Sequence, residues 1–108
     1  MKRVLPVRIP VYLQAELISK DKSYDAVIGN LSHEGAFVET GPTKTVTPFV
    51  PGKLLDMKFK VSSRNTMKLN CEIIWLYTKN TPPSGLTNSL GIKIIAPPSK
   101  YMKYFNTL

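Results

Sequence analysis

The sequence predicts an all-β domain built as an antiparallel barrel or sandwich. About six short strand-like segments recur at regular intervals along the 108 residues, and connections rich in proline, glycine, serine and asparagine separate them. The length and the 43% apolar share suffice for one modest core. A single domain is therefore expected, with no internal repeat.

The first three strands are predicted at residues 11–17, 24–31 and 36–39. In the first, apolar residues alternate with polar or amphipathic ones, as in a half-buried strand, and Pro10 opens it because proline is tolerated at a first position. A polar turn over residues 19–23 leads into the second strand. Residues 40–52 hold three prolines and two glycines, which predicts a long loop.

The fourth strand, over residues 53–61, is the most regular segment of the chain. Its apolar residues alternate with charged ones and predict a core-facing set of Leu55, Met57, Phe59 and Val61. The polar residues 62–65 then close a hairpin.

The fifth strand is predicted at residues 67–77, with Cys71 as a buried core thiol. The same alternation places Trp75 and Tyr77 in the core, with a position at the rim as the alternative. The opposite face turns apolar at Ile74 and Leu76, which predicts that the strand is covered on both sides there.

A turn-rich loop at 79–88 and a final strand at 89–95 are predicted to complete the sheet. Beyond the prolines at 97 and 98, Ser99 is the expected N-cap of a short helix. Four residues at helical spacing are expected to share one face of it: Tyr101, Tyr104, Phe105 and Leu108.

The formal charge of +8 favours an anionic partner, such as a nucleotide, a nucleic acid, or an acidic protein or lipid surface. Most lysines are spread along the chain, whereas Lys2, Arg3 and Arg8 are concentrated in one N-terminal arm. No apolar run reaches the roughly 20 residues of a membrane helix, and none follows the basic N-terminus as in a signal peptide. With Cys71 as the single cysteine, these features predict a cytoplasmic protein without disulfides.

Residues 30–35 read Asn-Leu-Ser-His-Glu-Gly and form the most informative motif of the chain. Two residues apart on a strand, Asn30 and Ser32 are expected on one face. Gly35, without a Cβ, allows close approach of backbone or ligand. Together with the arginines of the arm, the motif predicts a site for a small, flat, anionic ligand. The alternative is that Asn30 and Ser32 bond to local backbone and shape a turn.

This pattern resembles the PilZ domain family, whose signature is an Arg-x-x-x-Arg arm followed by Asp/Asn-x-Ser-x-x-Gly. Asn30, Ser32 and Gly35 match the second half, and Arg8 resembles the second arginine of the first half. Four residues before Arg8 stands a valine, and Arg3 lies one place further back, so the spacing here is Arg-x-x-x-x-Arg. Three further fragments resemble the family in order and spacing: residues 36–38, 72–75 and 90–93.

The resemblance implies a six-stranded antiparallel β-barrel with a short C-terminal helix. It divides the chain into a flexible basic arm at 1–9, the barrel at 10–96 and the helix at 99–107. It also implies a non-catalytic bacterial receptor for cyclic di-GMP that signals to a partner protein and needs no cofactor. The implied ligand-binding residues are Arg3, Arg8, Asn30, Ser32 and Gly35, with Lys2 and His33 as flanking residues.

His33 is expected to flank the ligand, where its ring can stack on a base, rather than to act in catalysis. It is the only histidine, no cysteine is near it in the sequence, and Glu34 is the only adjacent acid. A metal site normally needs three or four ligands, and a nucleophilic triad needs a base with an orienting acid.

Two other functions stay open at this point. One is a protein adaptor with the same barrel that does not bind nucleotide, which the shifted position of Arg3 allows. The other is a basic barrel for single-stranded nucleic acid, which needs exposed aromatic platforms. The inward phase of Phe59 and Trp75 argues against this second alternative.

Overall fold

A closed antiparallel barrel of six strands with one short helix forms the computed structural model, which describes residues 7–43 and 47–108. Around the barrel the strands follow the order β1-β2-β3-β6-β5-β4. The predicted barrel and C-terminal helix are therefore confirmed. The elements are β1 (Ile9–Ser19), β2 (Lys22–Leu31), β3 (Gly35–Thr40), β4 (Leu54–Lys60), β5 (Thr66–Thr81), β6 (Gly85–Ile94) and α1 (Ser99–Phe105).

Alternate residues of each strand fill the barrel interior, because successive side chains of a strand point to opposite faces. In β4 the predicted inward residues Leu55, Met57 and Phe59 are at most 5% exposed, while the lysines face water. The fourth residue of the predicted set, Val61, lies just beyond the strand and is partly buried. The predicted burial of Cys71 is also confirmed, at 1% exposure. The largest fully buried side chains of the core include Tyr101, Leu17, Ile28, Leu31, Met57, Leu69, Ile73, Leu90 and Ile94.

Two extra residues interrupt the regular pairing of the strands beside the pocket, and a third irregularity lies in β1 between Pro10 and Leu13. Ile28 pairs with Val38 but Asn30 pairs with Phe37, so β2 carries one additional residue at Gly29. In β5 the additional residue is Ile74: Ile73 pairs with Ile92 of β6, and Trp75 pairs with the next residue of β6, Gly91. Such a β-bulge reverses the inward and outward alternation of the residues that follow it.

The prediction that Trp75 and Tyr77 lie in the core is wrong: their side chains are 45% and 62% exposed. The bulge at Ile74 turns both residues outward, and Leu76 takes the inward phase in their place and packs against the core. Ile74 itself is 49% exposed, so the predicted cover on both faces of β5 is wrong there as well.

The loop predicted at residues 79–88 is also wrong, because β5 continues to Thr81 and β6 begins at Gly85. The two strands form a long hairpin whose ribbon is mostly polar on both faces. Residues 77–81 of β5 are exposed on both faces, and the buried Asn88 of β6 is polar, so this part of the sequence has no period-two pattern of apolar residues. Across this ribbon, the Thr78 hydroxyl lies 2.7 Å from the Asn88 side-chain oxygen.

Helix α1 differs from its prediction in three details. It ends at Phe105, and its N-cap is Pro98 rather than Ser99, with no side-chain hydrogen bond at the cap. Tyr101 and Phe105 are buried as expected, but Leu108 is 43% exposed and does not belong to the packed face. Within residues 7–43 and 47–108, no helix is long and apolar enough to span a membrane.

Burial raises the pKa of the Cys71 thiol to about 12, and the nearby Asp56 carboxylate contributes to the same shift. At pH 8 the folded protein should therefore react with a thiol-specific disulfide reagent on the order of 100-fold more slowly than the unfolded chain. The reagent releases a coloured thiol when it reacts with the cysteine, and the rate of this release is measured with and without denaturant.

Rapid labelling of the folded protein would contradict this burial.

The raised pKa also predicts a sign for the pH dependence of stability. The contribution of Cys71 to the free energy of unfolding is fully present below about pH 9, the ordinary pKa of the thiol. It is lost as the pH rises toward about 12, the pKa of the thiol in the folded protein.

Candidate functional site

A pocket of about 750 Å³ lies where β2 passes into β3 and next to the outward residues of β5 and β6. This volume is in the range of 300–1,000 Å³ that is usual for sites of small ligands. The pocket is lined by Val7, Arg8, Asn30, Ser32, His33, Glu34, Gly35, Ala36, Phe37, Ile74, Trp75, Gly91, Ile92 and Lys93.

Arg8 and Asn30 are joined by a hydrogen bond at this pocket. Arg8 directly precedes β1, and its Nη1 donates to Asn30 Oδ1 over 3.2 Å. Strict alternation from Ile28 would send Asn30 into the core, but the bulge at Gly29 turns its carboxamide outward. The guanidinium has five donors and the carboxamide keeps its two N–H groups, so both retain capacity for a ligand.

Ser32 lines the same pocket but follows the end of β2, so the turn and not strand alternation brings it beside Asn30. Its Oγ donates to the carbonyl oxygen of Gly35 over 3.3 Å, and its backbone N–H donates to the same oxygen over 2.9 Å. Ser32 therefore shapes the turn, as the alternative from the sequence allowed. Its hydroxyl oxygen can still accept a hydrogen bond from a ligand.

Gly35 is the first residue of β3, where the strand lies very close to β6. A Cβ at this position would lie 2.9 Å from the carbonyl oxygen of Ile92, closer than such atoms approach in proteins. The glycine is therefore required for the approach of two backbones beneath the pocket.

The flanking residue His33 is exposed and lines the pocket. Its ring packs on Phe105 of α1 with 4.4 Å between the ring centroids. The ring is therefore supported by the helix and not by another polar side chain of the motif.

Three neighbouring residues across the sheet form an aromatic wall: Phe37 of β3, Gly91 of β6 and Trp75 of β5. The two rings lie 6.0 Å apart between centroids and 32° from parallel. A Cβ at Gly91 would overlap the indole of Trp75, so the indole can pack directly on the backbone of β6 only because this residue is glycine. The wall gives the pocket a flat apolar surface beside the polar pair.

Phe37 and Lys93 line the pocket although neither belongs to the predicted set of site residues, and Trp75 takes the position at the rim that was the alternative to the core. Two signals for the aromatic wall were present in the sequence. The consecutive isoleucines at 73 and 74 break the period-two pattern where the bulge occurs, and a glycine inside a strand often marks a close approach, as at Gly91.

The pocket carries an excess of positive charge from Arg8 and Lys93, against the single carboxylate of Glu34. Neither cation forms a salt bridge with the residues that the structure describes; the one such bridge joins Lys68 to Asp56 at 3.7 Å. Among residues 7–43 and 47–108, no group of three or more histidine, cysteine, aspartate or glutamate side chains is placed to hold a metal ion. Lys2 and Arg3 of the predicted site lie outside the described residues.

Comparison with known proteins agrees with this geometry. The sequence profile of the PilZ domain matches residues 3–104. The chain belongs to the PilZ domain family. The comparison with curated proteins found no match.

Two solved structures are similar to the barrel. One is the PilZ domain with c-di-GMP of YcgR from Escherichia coli, with a TM-score of 0.72, 11% identity, and coverage of 94% of this chain and 85% of that one. The other is the K. pneumonia MrkH–c-di-GMP complex, with a TM-score of 0.72 and 10% identity. The match covers 99% of this chain but only 51% of the MrkH chain. At these identities the similarity establishes the fold.

Gly91→Ala should displace the Trp75 indole from the wall, because the added Cβ would overlap it. Because Trp75 is the only tryptophan, its fluorescence emission should shift in the variant. Overpacking of this kind typically lowers the free energy of unfolding by about 1–3 kcal/mol. Denaturant titration measures this loss.

The matched control is Gly41→Ala, since a Cβ at Gly41 would meet nothing within 4 Å. An emission spectrum of Gly91→Ala that is identical to those of the wild type and the control would contradict the close seating of the indole.

Proposed function

We propose that this protein is a non-catalytic receptor that binds cyclic di-GMP in the pocket next to Arg8 and Asn30. The observation that carries the proposal is the hydrogen-bonded Arg8–Asn30 pair, which lines one pocket with the aromatic wall. The ligand combines flat guanine rings with two phosphates, and the pocket offers a matching surface for each part.

The guanidinium of Arg8 is suited to the O6 and N7 acceptors of guanine, which a planar fork of donors can meet with two parallel hydrogen bonds. The carboxamide oxygen of Asn30 can accept from the donors of the Watson–Crick edge. In the free protein these two side chains satisfy each other at 3.2 Å. A guanine that inserts between them would replace one hydrogen bond by several.

Base stacking is the second contribution to the proposed binding. Aromatic side chains that stack on a base contribute about 1–3 kcal/mol each in proteins that bind single strands. Trp75 is 45% exposed at the pocket, and the Phe37 ring beside it extends the same surface. Both rings are therefore available to a purine that also contacts Arg8.

The phosphates of the ligand would be neutralised by cations around the pocket. Lys93 supplies one from β6, paired across the strands with Gly35. Arg3 and Lys2 of the N-terminal arm are proposed to supply the others. Contact between the arm and the ligand would change the surface that the protein presents to a downstream partner.

The two solved relatives support this choice of ligand, because both YcgR and MrkH are described in complex with c-di-GMP. Within this chain, Asn30, Ser32 and Gly35 stand at the positions of the family motif. Calorimetric titration with cyclic di-GMP, with GTP as the control nucleotide, tests the proposal directly. A gel-shift assay with single-stranded oligonucleotides separates it from nucleic-acid binding, and binding of neither ligand would favour the adaptor function.

Arg8→Ala should weaken cyclic di-GMP binding by roughly 10- to 100-fold or more. Hydrogen bonds to charged groups contribute about 1.5–3 kcal/mol each, and the variant removes the whole fork. Titration calorimetry on the wild type and the variant measures the effect. Arg64→Ala is the matched control, because Arg64 is exposed in the β4–β5 turn and does not line the pocket. Equal affinities of Arg8→Ala and the wild type for cyclic di-GMP would show that Arg8 does not bind the ligand.

Binding should also weaken as salt is added, since ions screen the attraction between the phosphates and exposed cations. The affinity of the wild type, titrated at several sodium chloride concentrations, should fall steadily. A Lys93→Ala variant should show a shallower dependence on salt if the phosphates lie near β6. An affinity that does not respond to salt would argue against a role for these cations.

A further inference from the structure

Helix α1 is attached to the motif loop by one buried hydrogen bond. The Tyr101 hydroxyl donates to the carbonyl oxygen of Ser32 over 2.6 Å, across 69 positions of the sequence. Tyr101 has no exposed surface, and Ser32 is 6% exposed. A buried carbonyl that lost this donor would have no water to replace it, so the bond strongly favours one arrangement of the loop.

Burial also raises the pKa of the Tyr101 hydroxyl well above its ordinary value. The group therefore stays protonated, and remains a donor, throughout the physiological pH range. The hydroxyl can therefore donate to the Ser32 carbonyl throughout this range.

This bond also fixes the peptide plane between Ser32 and His33. A trans peptide is planar, so its N–H points opposite to its C=O. With the Ser32 carbonyl directed at the helix, the His33 N–H is directed away from Tyr101. That N–H has no hydrogen-bond partner among residues 7–43 and 47–108. It is a free donor on a residue that lines the pocket.

A second contact joins the same two segments. The ring of Phe105 packs on His33 at 4.4 Å between centroids, one residue beyond the carbonyl that Tyr101 holds. Two consecutive residues of the motif loop are thus held by residues one helical turn apart on α1. A change in the loop cannot occur without a change in at least one of these contacts.

From these contacts we infer that Tyr101 is a positioning residue for the ligand site, which holds the Ser32–His33 peptide so that the His33 N–H can donate to an anionic group of the ligand. The inference rests on the proposed function, because the ligand that it concerns is cyclic di-GMP. It also makes α1 the element that senses occupancy. A helix that stabilises the binding form of the loop must itself be stabilised by the ligand, since coupling between two sites is reciprocal.

Tyr101→Phe tests the inference by removing one hydroxyl and leaving the ring in the core. The affinity for cyclic di-GMP, followed by Trp75 fluorescence in the same pocket, should fall by roughly 5- to 10-fold, the lower part of the range for coupled sites. Tyr104→Phe is the matched control: its ring packs on Phe59, and its hydroxyl has no hydrogen-bond partner in the described part of the chain. The control should bind like the wild type.

A spectroscopic measurement separates positioning from general loss of stability. In ¹H–¹⁵N spectra without ligand, the His33 amide should move in Tyr101→Phe and stay in place in Tyr104→Phe. In the wild type, saturating cyclic di-GMP should slow hydrogen exchange of the α1 amides. If Tyr101→Phe does not fold, this exchange experiment decides: slower exchange of α1 supports the coupling, and unchanged exchange overturns it.

The outcomes distinguish this inference from the proposal on which it rests. If the wild type does not bind cyclic di-GMP, both fail. If the wild type binds and Tyr101→Phe binds equally well with an unmoved His33 amide, only the positioning role is overturned. Weaker binding by Tyr101→Phe alone, together with the amide shift, supports it.

Discussion

The structure depends on two extra residues, Gly29 in β2 and Ile74 in β5, which reverse the alternation of the strands beside the pocket. Without the first, the Asn30 carboxamide would point into an apolar core, where an unpaired amide costs several kcal/mol. Without the second, the Trp75 indole would take the inward position that Leu76 occupies. The same two irregularities therefore complete the barrel core and supply the outward groups of the site.

Site and core are also joined from the interior. The Ser32 carbonyl is satisfied by a core residue, Tyr101, and the exposed His33 ring is supported by Phe105. Gly35 and Gly91 keep the backbone and the indole close to β6. A pocket whose floor is made of such contacts is largely preformed, which reduces the entropy that a ligand must overcome on binding.

The sequence predicts the parts of this structure that obey a simple period. Residues 54–60 alternate cleanly because one face is buried and the other is in water, and the helix shows its buried face at Tyr101 and Phe105. The hairpin beyond Tyr77 exposes both faces of β5 and buries a polar residue, Asn88, on β6, so no hydrophobic pattern marks it. A bulge changes the inward and outward phase by one residue and has no fixed composition, so alternation alone places Trp75 in the core. Asn30 and Ser32 could be placed near each other, but their separate roles required the hydrogen bonds.

The barrel matches the solved structures of YcgR and MrkH at a TM-score of 0.72 with only 10–11% identity, because a period of buried residues can be kept while most side chains change. The ligand depends on far fewer residues, and here the spacing of the arm departs from the family pattern. The changed spacing does not affect the position of Arg8. It stands directly before β1 and is already held at the pocket by Asn30, so its position follows from the barrel.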